Sequence, residues 1–86
     1  MNVSTRDGMK DLVEDFFSKN LRDITSREGI EWGDVVKTAN GNSSIRYKYR
    51  ARIWDEDTRI MNQVFTFDPK GRFVSVTDVE GFPQIP

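Results

Sequence analysis

The chain has 86 residues, too few for two independent hydrophobic cores. Its length therefore predicts a single domain over residues 1–86, either a whole protein or a module of a longer one. It contains no His and no Cys, which excludes disulfides, thiolate metal sites and catalysis by a His base. The net charge of −1 provides no global field that attracts nucleic acid or a membrane surface. With no apolar N-terminal segment and no Cys, we expect a cytoplasmic protein.

The first predicted element is a helix near the N-terminus. Its apolar residues recur with the spacing of one helix face: Met9, Leu12, Val13, Phe16, Phe17, Leu21 and Ile24. Charged and small polar residues fill the opposite face, so the helix is amphipathic. Ser4, Thr5 or Asp7 is expected to cap its start, since their side-chain oxygens accept from free backbone N–H groups. The helix is expected to end between Asn20 and Asp23.

Thr25–Gly29 is expected to form a turn or one short helical turn, and after it the apolar pattern becomes that of strands. Four strands are predicted, and they span Ile30–Thr38, Ser44–Trp54, Arg59–Phe67 and Arg72–Val79. Short turns join them at Asn40-Gly41, at Asp55-Glu56-Asp57 and at Asp68-Pro69-Lys70-Gly71. This order predicts an α+β fold, with one N-terminal amphipathic helix packed on a curved four-stranded antiparallel β-meander.

Alternation along the long second strand separates two faces of the predicted sheet. One face of this strand is apolar, and the other carries basic residues: Arg46, Lys48, Arg50 and Arg52. The turn at Asp55-Glu56-Asp57 decides which residues of the later strands join each face. A two- or four-residue turn pairs Tyr49 with Val64 and places Ile60 and Val64 under the helix, together with Val74 and Val76. A three-residue turn places these four residues on the side of the sheet away from the helix. Either register leaves a second face that is half apolar and half basic, which a small monomer rarely exposes.

Two segments carry a resemblance to a known group of folds. The helix contains Val13-Glu14-Asp15-Phe16-Phe17, and the last hairpin reads Phe65-Thr66-Phe67-Asp68-Pro69-Lys70-Gly71-Arg72-Phe73-Val74. Together they resemble the cystatin-like superfold and, within it, the nuclear transport factor 2-like group. The resemblance implies a curved sheet around a helix and dimerisation through the sheet. Members of the group include enzymes, ligand binders and association domains, so the fold does not name a function.

The leading functional hypothesis is a non-catalytic domain that binds a partner through the sheet face away from the helix. The partner is a second copy, as in a homodimer, or a larger parent chain. The residues expected to make this contact are Arg46, Lys48, Arg50, Arg52, Trp54, Phe65, Phe67 and Phe73. On this hypothesis, Phe65→Glu breaks the assembly and leaves a folded monomer.

Two other functions stay open as alternatives. The same basic and aromatic residues could bind single-stranded nucleic acid, with phosphates on the cations and bases stacked on the rings. A pocket under the helix could instead bind a small molecule or perform acid–base chemistry, as the resemblance implies for some relatives. Its candidate residues are Asp34, Tyr47, Tyr49, Asn62 and Asp78. The sequence has no metal or cofactor motif, since Asp55-Glu56-Asp57 lacks the spaced ligands and the Gly of a calcium loop.

Overall fold

The computed structural model describes residues 3–20, 24–38, 40–53 and 58–79. It contains a helix and a five-stranded antiparallel sheet, which confirms the α+β class. The elements in chain order are α1 (Arg6–Asn20), β1 (Ile24–Trp32), β2 (Val36–Lys37), β3 (Ser43–Ile53), β4 (Thr58–Phe67) and β5 (Phe73–Asp78). The strand order is β1-β3-β4-β5, and β2 pairs with β3 as well.

Of the three residues predicted as possible N-caps, Thr5 caps the helix. Its hydroxyl oxygen Oγ1 accepts from the backbone N–H of Gly8 at 3.0 Å, and its carbonyl accepts from the N–H of Met9 at 3.0 Å. A Thr at this position satisfies backbone donors that have no partner inside the first turn. The helix ends at Asn20, at the start of the predicted interval; residues 21–23 lie outside the described part of the chain.

The predicted bounds of the first strand were wrong. The segment expected to be a turn, Thr25–Gly29, lies within β1, and the predicted strand Ile30–Thr38 is divided between the end of β1 and the short β2. The physical reason is pairing with distant residues. Arg27 lies opposite Ala51 and Gly29 opposite Tyr49, so the β3 ladder holds a polar, Gly-containing segment extended. Two register shifts within β1 account for its irregular pattern.

The hydrophobic core lies between α1 and one side of the sheet. Helix residues Met9, Leu12, Val13 and Phe17 are buried there. The sheet contributes the odd-numbered residues of β3 and the end of β4, namely Ile45, Tyr47, Tyr49, Ala51, Phe65 and Phe67. Aromatic rings form much of this core, because each ring removes a large apolar area from water.

The register between β3 and β4 decides which side of the sheet each residue of β4 occupies. Tyr49 lies opposite Met61, Ile45 opposite Phe65 and Arg46 opposite Val64. This register places Ile60 and Val64 on the side of the sheet away from the helix, as predicted for a three-residue turn. The pairing of Tyr49 with Val64 was wrong: the observed partner, Met61, lies three residues earlier, and a shift by an odd number of residues moves every side chain of β4 to the other face.

A register shift also changes the last hairpin. Phe67 lies opposite Phe73, but an irregularity between Thr66 and Phe67 makes Phe65 the partner of Val76. Val76 packs against the core as a result, on the helix side. The turn itself is confirmed: Gly71 has a φ of 86°, and the N–H groups of Lys70 and Arg72 donate to the Asp68 carboxylate at 2.9 Å each.

Phe65→Ala is expected to lower the free energy of unfolding by about 3–5 kcal/mol, because it empties a ring-sized space in the core. Val74→Ala is the control: Val74 is 47% exposed, so its truncation should cost less than about 0.5 kcal/mol. Urea unfolding followed by circular dichroism measures both. Equal losses for the two variants would contradict the placement of Phe65.

Candidate functional site

The basic residues of β3 lie together on the side of the sheet that faces away from α1. They alternate with residues buried under the helix, so period-two geometry directs them outward. We call Arg46, Lys48, Arg50 and Arg52 the basic stripe. The open face is this outward side of the sheet. It comprises the basic stripe, Ser44, the outward residues of β4 (Thr58, Ile60, Asn62, Val64 and Thr66) and their β1 neighbours Ser26, Glu28 and Glu31.

Acidic residues of β1 lie beside the basic stripe. The Arg50 guanidinium donates to the Glu28 carboxylate at 3.1 Å, and Arg46 lies 3.5 Å from Glu31. Arg46 also donates to Asn62 Oδ1 on β4 at 3.0 Å. The open face thus carries a row of acids next to a row of bases. These ion pairs are solvent-exposed and individually weak, so they can exchange partners at little cost.

One end of the open face has a shallow depression of about 180 Å³. Its lining combines guanidinium groups, one carboxylate and two hydroxyls, from Ser26, Arg27, Glu28, Arg50, Arg52 and Thr58. Toward the other end, the hydroxyls of Ser44 and Thr66 lie 2.7 Å apart and bond across the strands. The surface is therefore mainly polar, with Ile60 and Val64 as its partly buried aliphatic residues on β4.

The aromatic residues expected beside the basic stripe lie elsewhere. Phe65 and Phe67 are buried in the core, and Phe73 stacks on Phe16 of the helix with ring centroids 4.4 Å apart. Their predicted position beside the basic stripe was wrong, because the β3–β4 register turns Phe65 and Phe67 toward α1 and the last hairpin brings Phe73 against Phe16. Phe65→Glu would therefore unfold the domain rather than break an assembly. Trp54 lies outside the described residues.

The structure brings only some of the predicted pocket residues together: the rings of Tyr47 and Tyr49 stack with centroids 4.8 Å apart, and a hydrogen-bonded chain through Gln63 links Tyr49 to Asp78. Tyr47 and Tyr49 are buried under the helix, whereas Asn62 lies on the open face, bonded to Arg46. Asp34 is exposed between β1 and β2, and Asp78 is exposed at the end of β5. Because these groups occupy different faces and edges, they do not form one acid–base site.

Arg27 forms a contact network that the sequence did not indicate, since it fell in a segment predicted as a turn. Its guanidinium makes an ion pair with Glu14 of α1, donates to the Tyr47 hydroxyl at 2.5 Å and lies 4.2 Å from the centre of the Phe17 ring. Burial tends to lower the pKa of Arg27, but the hydrogen bond to Glu14 and the nearby Tyr47 outweigh it, so the pKa is raised. The network joins helix to sheet.

Tyr49 begins a second polar chain at the edge of the core. Its hydroxyl donates to Gln63 Oε1 at 2.5 Å, and the Gln63 amide donates to Asp78 at 3.2 Å. Burial raises the pKa of both Tyr49 and Tyr47 above the ordinary value, because the interior disfavours a phenolate. Both hydroxyls act as structural hydrogen-bonding groups and stay protonated at neutral pH.

Comparison with known proteins does not assign the chain to a family. No protein-family model, no curated protein and no solved structure matches it. Across the four described segments, no three or more acidic side chains are grouped as ligands of a metal ion would be. In the same part of the chain, no helix has both the length and the apolar character needed to cross a membrane.

The raised pKa values predict how stability depends on pH. The unfolded tyrosines ionise near pH 10, the ordinary pKa of a tyrosine, while the folded ones stay neutral. The free energy of unfolding that the two neutral tyrosines contribute is therefore fully present below about pH 10, and it is lost as the pH rises toward their pKa in the folded protein. Urea unfolding should show a decline of about 1.4 kcal/mol per pH unit from Tyr49 above that pH.

Tyr49→Phe removes the titrating group and should flatten the alkaline decline relative to the parent. The neutral-pH stability of each protein is the reference, since the variant also loses a hydrogen bond to Gln63 worth about 1 kcal/mol. Parallel declines in the two proteins would show that Tyr49 ionises freely in the folded state.

Proposed function

We propose that this chain is a non-catalytic association domain that pairs with a second copy of itself through the open face. One observation carries the proposal: acidic and basic rows lie side by side on a sheet surface opposite α1, the only helix among the described residues. Such a surface is complementary in charge to itself. Two-fold pairing of identical surfaces is the commonest assembly of small domains.

The two rows favour one geometry for the pair. A two-fold axis parallel to the strands, above the boundary between β1 and β3, lays the acids of each copy over the bases of the other. Rotation about this axis preserves height along the strands, so Glu28 of one copy meets Arg50 of the other. An axis above β3 would instead oppose the two basic stripes, and like charges facing one another are unfavourable.

Nucleic-acid binding has less support from the same geometry. All described aromatic rings belong to the helix side, where they contact one another or the helix, so the open face lacks a stacking platform within the described residues. Glu28 and Glu31 also offset part of the positive charge that phosphates would need.

We further propose membership of the cystatin-like superfold, in its nuclear transport factor 2-like group. The described architecture supports this if β1 and β2 are treated as one interrupted strand, since both pair with β3. The sheet then has four positions in meander order behind one amphipathic helix. The absence of Cys from the sequence agrees with a reducing compartment, and we propose the cytoplasm.

A charge-exchange experiment tests the dimer. Light scattering should give the parent a mass of about twice its 10.0 kDa at high concentration. Glu28→Arg and Arg50→Glu should each weaken pairing by roughly tenfold or more, because each sets like charges against each other. The double variant Glu28→Arg with Arg50→Glu again places opposite charges at positions 28 and 50 of the two copies, so it should regain the dimer.

Asp11→Arg provides the matched control, since it makes the same charge change as Glu28→Arg on the exposed side of α1. It should leave the mass unchanged. A parent that stays monomeric at high concentration, or a double variant no better than the single ones, would overturn the proposed pairing.

A further inference from the structure

A second cavity lies on the other side of the molecule, between α1 and the β4–β5 turn. It measures about 300 Å³. Its apolar part is formed by Leu12 and Phe16 of the helix with Phe67 and Phe73 of the hairpin. Gly71 also lines the cavity and lies close to the helix: a methyl group built on it would meet Leu12 at 3.5 Å. The cavity is separate from the open face and does not depend on the pairing proposed for it.

Aromatic rings give this cavity its shape. Phe16 and Phe73 stack with centroids 4.4 Å apart and an interplanar angle of 23°, and Phe67 meets Phe73 edge-on at 6.0 Å. Despite both contacts, Phe73 remains 42% exposed. A flat apolar group entering the cavity would cover this ring and add a further stacking partner, an arrangement that aromatic rings favour.

Three charged side chains also line the cavity, namely Asp15, Lys19 and Arg72. Lys19, in the last turn of α1, pairs with Asp15 at 3.1 Å, and Arg72, the residue before β5, pairs with Asp68 at 2.9 Å. Both cationic side chains are about 70% exposed, at 69% and 73%. Ion pairs whose cation is exposed contribute little, so either cation can turn to a bound anion without a large loss, while Asp68 keeps its hydrogen bonds from the backbone N–H groups of Lys70 and Arg72.

We propose that this cavity binds a small aromatic carboxylate. The ring system would lie against Phe16 and Phe73, and the carboxylate would be held at the rim by Lys19 and Arg72. The size supports a ligand of one or two rings rather than an extended lipid or peptide, because about 300 Å³ is the small end of the range for ligand sites. A planar carboxylate also matches the paired donors of an Arg side chain.

Titration of the ¹⁵N-labelled chain with 2-naphthoate, followed by NMR, tests the site. Saturable shifts are expected at the amides of Lys19, Gly71 and Phe73, with the open-face amides unchanged. The neutral analogue 2-naphthylmethanol should bind more weakly than 2-naphthoate, and added salt should reduce the difference between the two affinities. Shifts absent at millimolar naphthoate, shifts confined to the open face, or equal affinity for acid and alcohol would each overturn the proposal.

Variants separate the ring contact from the charges. Phe73→Ala should weaken naphthoate binding by about three- to tenfold, and Phe73→Leu serves in its place if the alanine variant unfolds. Ile30→Ala is the matched control, an exposed apolar residue on β1 that is 46% exposed.

Lys19→Gln and Arg72→Gln should each weaken naphthoate but not the alcohol, whereas Lys37→Gln, the same change on β2, should affect neither ligand. Unchanged naphthoate affinity in Phe73→Ala or in both rim variants would place the binding elsewhere. Because these readouts are local to the cavity, they hold whether or not the domain forms the proposed dimer.

Discussion

The structure depends on the two-residue period of β3. This strand pairs with β1 and β2 along one edge and with β4 along the other, so its alternation sets the two faces of the whole sheet. Its odd-numbered residues, from Ile45 to Ala51, are buried under α1. Its even-numbered residues, from Arg46 to Arg52, form the basic stripe. The core and the proposed binding surface are therefore two sides of one strand, and neither can shift in register without the other.

The helix is attached to the sheet by aromatic and charged contacts together. Phe17 meets Tyr49 at 5.2 Å and Phe65 at 5.7 Å, while Arg27 connects Glu14, Tyr47 and the Phe17 ring from the β1 side. At its N-terminal end, Arg6 donates to the Trp32 carbonyl at 2.7 Å and Lys10 lies over the Trp32 ring. A small domain buries little surface, so polar contacts at the edge of its core fix an orientation that apolar packing alone leaves loose.

Local signals in the sequence were sufficient for some of this architecture. The spacing of Met9, Leu12, Val13 and Phe17 predicted the buried side of α1, the alternation of β3 predicted the basic stripe, and Asp68-Pro69-Lys70-Gly71 predicted its turn. Non-local features were missed. Residues Thr25–Gly29 are extended only because β3 pairs with them, and the side occupied by Phe65 follows from the β3–β4 register. That register depends on how the chain crosses residues 54–57, which composition does not determine. The cavity beside Phe73 was missed for the same reason, since it exists only once the hairpin meets the helix.

The separation of the two faces has a consequence for how this protein can change over time. Substitutions at the outward positions of β3 alter charge on the open face without entering the core, so the charge of this face can change while the core packing stays the same. Insertions and deletions behave differently: one residue added within β3 would carry arginines into the aromatic core and tyrosines into water. Length variation is thus confined to the connections, while the strand itself admits exchange of residues but not a change in their number.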